Sequence, residues 1–125
     1  MTAGPDTQRT LRRLTKRAQF LAAARGQRAG RTGFSLQTIA VADADAGIGL
    51  TVTKKTGNSP ERNRIKRRLR AAARACGTQF HAQHDYVLVG RREALSLPFA
   101  KVVADLSSAI AKVHAPPRDA GTLRP

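Results

Sequence analysis

Apolar positions along this chain fall into short runs whose spacing changes from one segment to the next. Ile48, Leu50 and Val52 alternate with Gly49, Thr51 and Thr53, the pattern of a strand with one buried face. Phe34 to Val41 changes parity, with Phe34 and Leu36 on one face and Ile39 and Val41 on the other, so a bulge is expected. Asp43 to Gly47 would be the hairpin loop joining these two strands. Tyr86-Val87-Leu88-Val89 is a continuous apolar run, which predicts a strand covered on both faces. A short helix is predicted from about Lys16 to Arg25, with Thr15 as its N-cap, Ala18, Leu21 and Ala22 as its apolar stripe and Gly26 as its stop. Phe99, Val102, Val103, Leu106, Ile110 and Val113 hold helical phase in a last helix capped by Ser96.

The best-specified helix lies between these. Gly57-Asn58-Ser59-Pro60-Glu61 supplies a turn, an N-cap, proline at the first helical position and an acid in the first turn, near the positive end of the helix dipole. Ile65, Leu69, Ala72, Cys76 and Phe80 then recur at spacings of four, three, four and four, one narrow stripe at ~100° per residue. The order is helix, strand, strand, helix, strand, helix. A strand–helix–strand step suggests a parallel pair within a mixed sheet of about four strands, packed by three helices as a two-layer α+β arrangement of the broad α/β class.

Charge changes the picture most. The 125 residues carry 23 Lys plus Arg against 8 Asp plus Glu, a net charge of +15 that calls for a polyanionic partner. Residues 1–31 hold eight of the basic residues and residues 54–74 hold nine, while residues 32–53 hold none. Lys66, Arg70 and Arg74 align at i, i+4 and i+8 with Asn63 and Arg67 beside them, and Glu61 is the segment's one acid. Like charges at that spacing destabilise an isolated helix by a few tenths of a kcal/mol per pair, so a phosphate array rather than the fold accounts for them. Arginine outnumbers lysine six to one from Arg62 to Arg74, and its planar fork grips phosphate bidentately. One cysteine, Cys76, permits no internal disulfide, in keeping with a reducing cytoplasm. No run approaches a membrane span, and Met1 to Gln8 lacks the apolar stretch of a signal peptide. We expect a flexible basic N-terminus over 1–11, a single RNA-binding domain over 12–114 and a disordered Pro/Gly-rich tail over 115–125.

Lys54-Lys55-Thr56-Gly57-Asn58 followed by Arg62-Asn63-Arg64-Ile65-Lys66-Arg67 resembles the signature of the protein component of bacterial ribonuclease P. Arg13-Leu14, Phe20, Gly49-Leu50-Thr51-Val52, Asp85-Tyr86 and Arg91 follow the same order, so the resemblance spans roughly residues 12 to 113. It implies a compact α/β fold with a left-handed β–α–β crossover, against the usual handedness. It also implies a catalytic RNA partner, a precursor-tRNA substrate, magnesium ions held mainly by the RNA and none by the protein alone, and no obligate protein partner. Catalysis would belong to the RNA, with no protein side chain catalytic. By the same resemblance Arg62, Asn63, Arg64, Lys66, Arg67 and Arg70 would dock on the RNA subunit. Phe20, Lys54, Lys55, Arg91 and Arg13 would hold the substrate's single-stranded leader in a cleft between the first helix and the sheet. Ala24 and Gln37 stand where members of the family often place aromatics, so stacking should contribute less here and charge more.

Three other functions compete with this one. A ribosomal or other structural RNA-binding protein would share size and charge but not the Lys-Lys-x-Gly-Asn turn before the Arg-Asn-Arg helix. A self-sufficient nuclease needs clustered carboxylates, whereas Asp43, Asp45, Asp85, Glu93 and Asp105 are scattered. A helix-turn-helix module would precede the basic helix with a companion helix instead of a strand. Cys76, His81 and His84 are too few for a structural zinc. Phe20 has two readings, a core side chain or a surface for a base.

Overall fold

In a computed structural model, residues 11–115 form three helices and a five-stranded mixed sheet. The elements are β1 (Arg12–Arg13), α1 (Arg17–Ala24), β2 (Gln27–Gly30), β3 (Phe34–Ala40), β4 (Gly47–Thr51), α2 (Ser59–Ala75), β5 (His84–Gly90) and α3 (Phe99–Val113). The strand order is β1-β4-β5-β3-β2. Residues 1–10 of the expected flexible start and 116–125 of the expected tail lie outside the described residues, while Leu11, expected to be part of that start, packs against the core.

The expected class holds: β4 and β5 run parallel with α2 between them in sequence, inside a mixed sheet. Several details differ. β3 and β4 do not form a hairpin, because β5 lies between them and pairs antiparallel with β3 and parallel with β4. Two short strands add to the expected set: β1 pairs parallel with β4, and β2 pairs antiparallel with β3. β3 carries no bulge, since Phe34 to Ala40 pair one for one with Gly90 to His84. Its change of parity records a sheet covered on two sides. Phe34 and Leu36 face the larger core with Tyr86, Leu88 and the stripes of α2 and α3. Ile39, Val87 and Val89 face Leu14, Phe20 and Ala23, so α1 adds a partial layer on the opposite face.

Helix limits shift for local reasons. Lys16, not Thr15, is the N-cap of α1, and the Gln19 carboxamide oxygen accepts the backbone N–H groups of Thr15 and Lys16 at 3.0 and 2.9 Å. The buried side of α1 is Phe20 and Ala23, while Leu21 is 50% exposed, so the expected stripe is on the wrong side. Gly26 ends α1 where a Cβ would meet the Thr38 carbonyl oxygen at 1.9 Å, a close approach that only glycine permits. Ile65, Leu69, Ala72 and Cys76 are buried as expected, but α2 stops at Ala75, and Phe80 reaches the core beyond a Gly77–Gln79 turn. α3 begins after Pro98 rather than at Ser96, with Phe99 exposed.

At the C-terminal end of α3, the Tyr86 hydroxyl accepts the His81 backbone N–H at 2.8 Å and meets His114 Nε2 at 2.6 Å. The His81 and His114 rings stack with centroids 3.5 Å apart. Burial first, then the charges of His81 and His84, pull the His114 pKa down to about 4. An unfolded chain takes up this proton as pH falls through the usual 6.5, whereas the native ring does so only near 4. Its stabilisation is therefore complete above pH 6.5 and is lost progressively as pH drops toward 4. Denaturation midpoints should fall between pH 7.5 and 4.5, and His114→Gln should shrink that fall; an identical pH dependence in the variant would contradict this account.

Candidate nucleic-acid interface

The basic face begins at the N-terminus of α2. Asn58 Oδ1 accepts the Glu61 backbone N–H at 2.9 Å, and Glu61 Oε1 accepts the Asn58 N–H at 2.9 Å, a reciprocal cap. Arg92, beyond β5, donates to both Glu61 oxygens at 3.0 and 2.7 Å and to the Thr56 carbonyl at 3.2 Å. The Arg92 hydrogen bond, followed by the Asn58 N–H, holds the Glu61 carboxyl at a pKa of about 2. The one acid of α2 is thus engaged from outside the helix.

Asn63, Arg64, Arg67 and Arg70 are exposed and Lys66 is half-buried. Among the described residues none of the four cations forms an ion pair; the pairs seen involve Arg12, Arg92 and Lys101. Arg62 folds back, donating to the Gly57 carbonyl at 3.1 Å and to Ser59 Oγ at 3.0 Å, so part of its guanidinium secures the turn. Arg68 donates to the Leu97 carbonyl and ties α2 to the segment before α3.

The other basic region divides. Arg12 contacts Asp85 at 2.6 Å and Asp43 at 3.4 Å and donates to the Asp45 carbonyl at 2.9 Å. It anchors β1 and is largely neutralised. Arg13, next to it, is exposed and lines a cleft of about 740 Å³ at the β4 edge. Phe20 and Gly49 form part of that cleft, and Lys66, Arg70 and Arg74 line it from α2. A Cβ at residue 49 would stand 2.7 Å from Phe20 Cζ, so the glycine makes room for the ring. Phe20 thus packs on the smaller core and also lines the cleft.

The expected site residues are thus grouped in a way that the sequence did not show. Arg13 and Phe20 share a cleft with Lys66 and Arg70, although the resemblance puts the two pairs on different RNA strands. Lys54 and Lys55 lie exposed in a turn beyond β4. Arg91 follows β5 and lines a second hollow with Arg31 and Lys101, apart from Phe20. Arg74 was legible from its i, i+4 row, whereas nothing in the sequence links Arg92 to Glu61. Cys76 lies buried with Sγ 3.7 Å from the Val103 carbonyl, and burial raises its pKa. No three His, Cys, Asp or Glu among the described residues could hold a metal ion.

A family description of ribonuclease P matches residues 9–114. The ribonuclease P protein component of Ruegeria pomeroyi is 42% identical over 111 residues, covering 82% of this chain and 86% of the relative. That of Gluconacetobacter diazotrophicus is 44% identical over 103 residues, covering 80% and 89%. The solved RNase P protein of Staphylococcus aureus superposes with a TM-score of 0.67 at 25% identity, covering 85% of this chain and 100% of the other. The fold is also that of the Thermotoga maritima RNase P protein, with a TM-score of 0.72 at 22% identity over 82% and 98% of the two chains.

Unpaired and acid-paired arginines should separate in an RNA-binding titration. Arg64→Ala or Arg67→Ala should lower the slope of log affinity against log salt by ~0.7–0.9 each, the contribution of one phosphate contact. Arg12→Ala should lower thermal stability and leave that slope unchanged. Equal slopes for Arg64→Ala and wild type would remove this side chain from the interface.

Proposed function

The chain belongs to the family of ribonuclease P protein components, and we propose that it serves as the protein subunit of the ribonucleoprotein that removes the 5′ leader from precursor tRNA. What carries this reading is α2, whose apolar stripe is buried while Arg64, Arg67 and Arg70 stand exposed with no acid among the described residues to neutralise them. On a folded RNA, each such guanidinium can replace a condensed counterion at a phosphate. Asn63 has the donor and acceptor groups for a base edge or a ribose hydroxyl. Arg62, partly committed to the Gly57 turn, offers its remaining N–H groups at the same end.

The cleft beside α2 takes the single-stranded leader in this reading. Phe20 offers a ring face to a base, Arg13 and Arg70 offer charge to the backbone on either side, and Lys54, Lys55 and Arg91 extend that charge along the sheet end. The protein orients and neutralises; bond cleavage falls to the RNA and its magnesium ions. Asp43, Glu61, Asp85 and Asp105 do not suit a magnesium site in this chain, because each already faces an arginine or lysine within 3.4 Å. We place this work in the cytoplasm, which the lone buried thiol of Cys76 suits. No described helix is long and apolar enough to cross a membrane.

Reconstitution tests the assignment. Added to a bacterial ribonuclease P RNA at low magnesium, the protein should raise precursor-tRNA cleavage, and alone with magnesium it should cleave nothing. Binding without stimulation would favour a structural RNA-binding role, and cleavage without RNA would favour a nuclease. Phe20→Leu keeps apolar bulk and removes the ring, so it should weaken preference for leader-bearing over leaderless substrate by ~5-fold or more while sparing affinity for the RNA subunit, as expected for loss of one stacked base at ~1–3 kcal/mol. Equal losses on both substrates would confine Phe20 to the core.

A further inference from the structure

The hollow around Arg91 has a composition unlike that of Phe20's cleft. It measures about 430 Å³ and is lined by Gly30, Arg31, Thr32, Arg91, Lys101 and Asp105. Three elements distant in sequence supply its cations: the β2–β3 turn, the residue after β5 and the first turn of α3. Its one described acid, Asp105, is nearly buried and paired with Lys101 at 3.0 Å, so Arg31 and Arg91 keep the hollow cationic. Unlike Arg12, which meets two acids and is 21% exposed, Lys101 meets one and its side chain stays 56% exposed, leaving ammonium N–H groups for a phosphate. Arg31 is pre-set, donating through Nε to Ser108 Oγ at 3.0 Å and through Nη1 to the Gly30 carbonyl at 2.7 Å. Its Nη2 has no hydrogen-bond partner among the described residues. Arg91 is exposed and reaches over the end of β2, its Nη2 3.6 Å from where a Gly30 side chain would begin. Among the described residues, no aromatic side chain lines the hollow.

Strand order connects this hollow to the rest of the basic surface. β4 ends before Lys54 and Lys55, β5 ends before Arg91, and Arg31 stands at the turn joining β2 to β3. Three strand spacings of ~4.8 Å separate β4 from β2, so the cations cross the sheet end over ~14 Å. That is room for a short run of extended nucleotides. Charge without aromatics suits phosphate contact that ignores base identity.

Resting on the function proposed above, we infer that the hollow of Arg31, Arg91 and Lys101 binds the phosphodiester backbone of the leader beyond the nucleotides held at Phe20. The leader would leave the cleft, pass Lys54 and Lys55 and cross the sheet end to β2. Arg31 and Lys101 would therefore act only on substrates whose leaders reach that far.

The test uses holoenzyme reconstituted with the RNA subunit and two precursor tRNAs, one with a leader confined to the cleft and one with a long leader. The double variant Arg31→Gln, Lys101→Gln should lose roughly 5- to 10-fold in affinity for the long-leader substrate and lower its salt slope by ~1.4, two single-strand phosphate contacts. Affinity for the short-leader substrate and for the RNA subunit should stay at wild-type level. Thr32→Lys adds a cation and removes no contact, so it should strengthen long-leader binding alone, independently of any effect of the double variant on folding. Wild-type affinity that does not rise with leader length, a double variant equal to wild type on the long leader, or equal losses on both leaders would each overturn the inference, as would weakened affinity for the RNA subunit. Failure of the wild-type protein to stimulate cleavage at all would instead overturn the proposed function.

Discussion

A helix that repels itself must be held by something else, and here it is held by its own apolar stripe. Burial of a side chain such as Ile65 or Leu69 is worth ~1.5–3 kcal/mol, against a few tenths for each like-charged pair along α2. Burial wins by a wide margin, so the arginines can remain unpaired. The stripe fixes the rotation of the helix as well as its existence: with Ile65, Leu69 and Ala72 in the core, Arg64 and Arg67 are turned outward and Arg70 toward the cleft.

The reciprocal Asn58–Glu61 cap and the Arg92 clamp extend this order beyond α2. Arg92 bonds both to the helix through Glu61 and to the lysine-bearing turn through Thr56. The turn of Lys54 and Lys55 is therefore fixed in relation to the arginine face. Gly49 makes a similar arrangement at the β4 edge, where a missing side chain lets Phe20 lie against the sheet while lining the cleft. Rigid placement of charge and ring before RNA arrives reduces the ordering cost of binding.

Much of this was legible in the sequence, and the rest was hidden for identifiable reasons. The cap, the stripe and the cationic row of α2 are local features read from spacing alone. β1 is two residues long and β2 has a single buried residue, Ala29, so neither leaves an alternation to detect. The pairing of β3 and β4 with opposite sides of β5 is a long-range choice that a five-residue loop signal cannot report. α1 misled because Ala18 and Leu21 hold helical phase as convincingly as Phe20 and Ala23, and only the sheet decides which pair is covered. Arg12 and Arg13 are adjacent and alike in type, yet Asp43 and Asp85 occupy one while the other faces the cleft.

The sheet also sorts its charges end from end. Asp43, Asp45 and Asp85 lie where β4 and β5 begin, while Lys54, Lys55 and Arg91 lie where these strands finish. Beyond the large net charge, cations with no acid partner among the described residues thus gather where β4 and β5 finish, while Arg12 at the starting end is taken up by Asp43 and Asp85. In the field of a polyanion such a body experiences a torque as well as an attraction, which turns the cationic end forward before contact. Encounters would begin already oriented, and this advantage would fade as added salt shortens the range of the field.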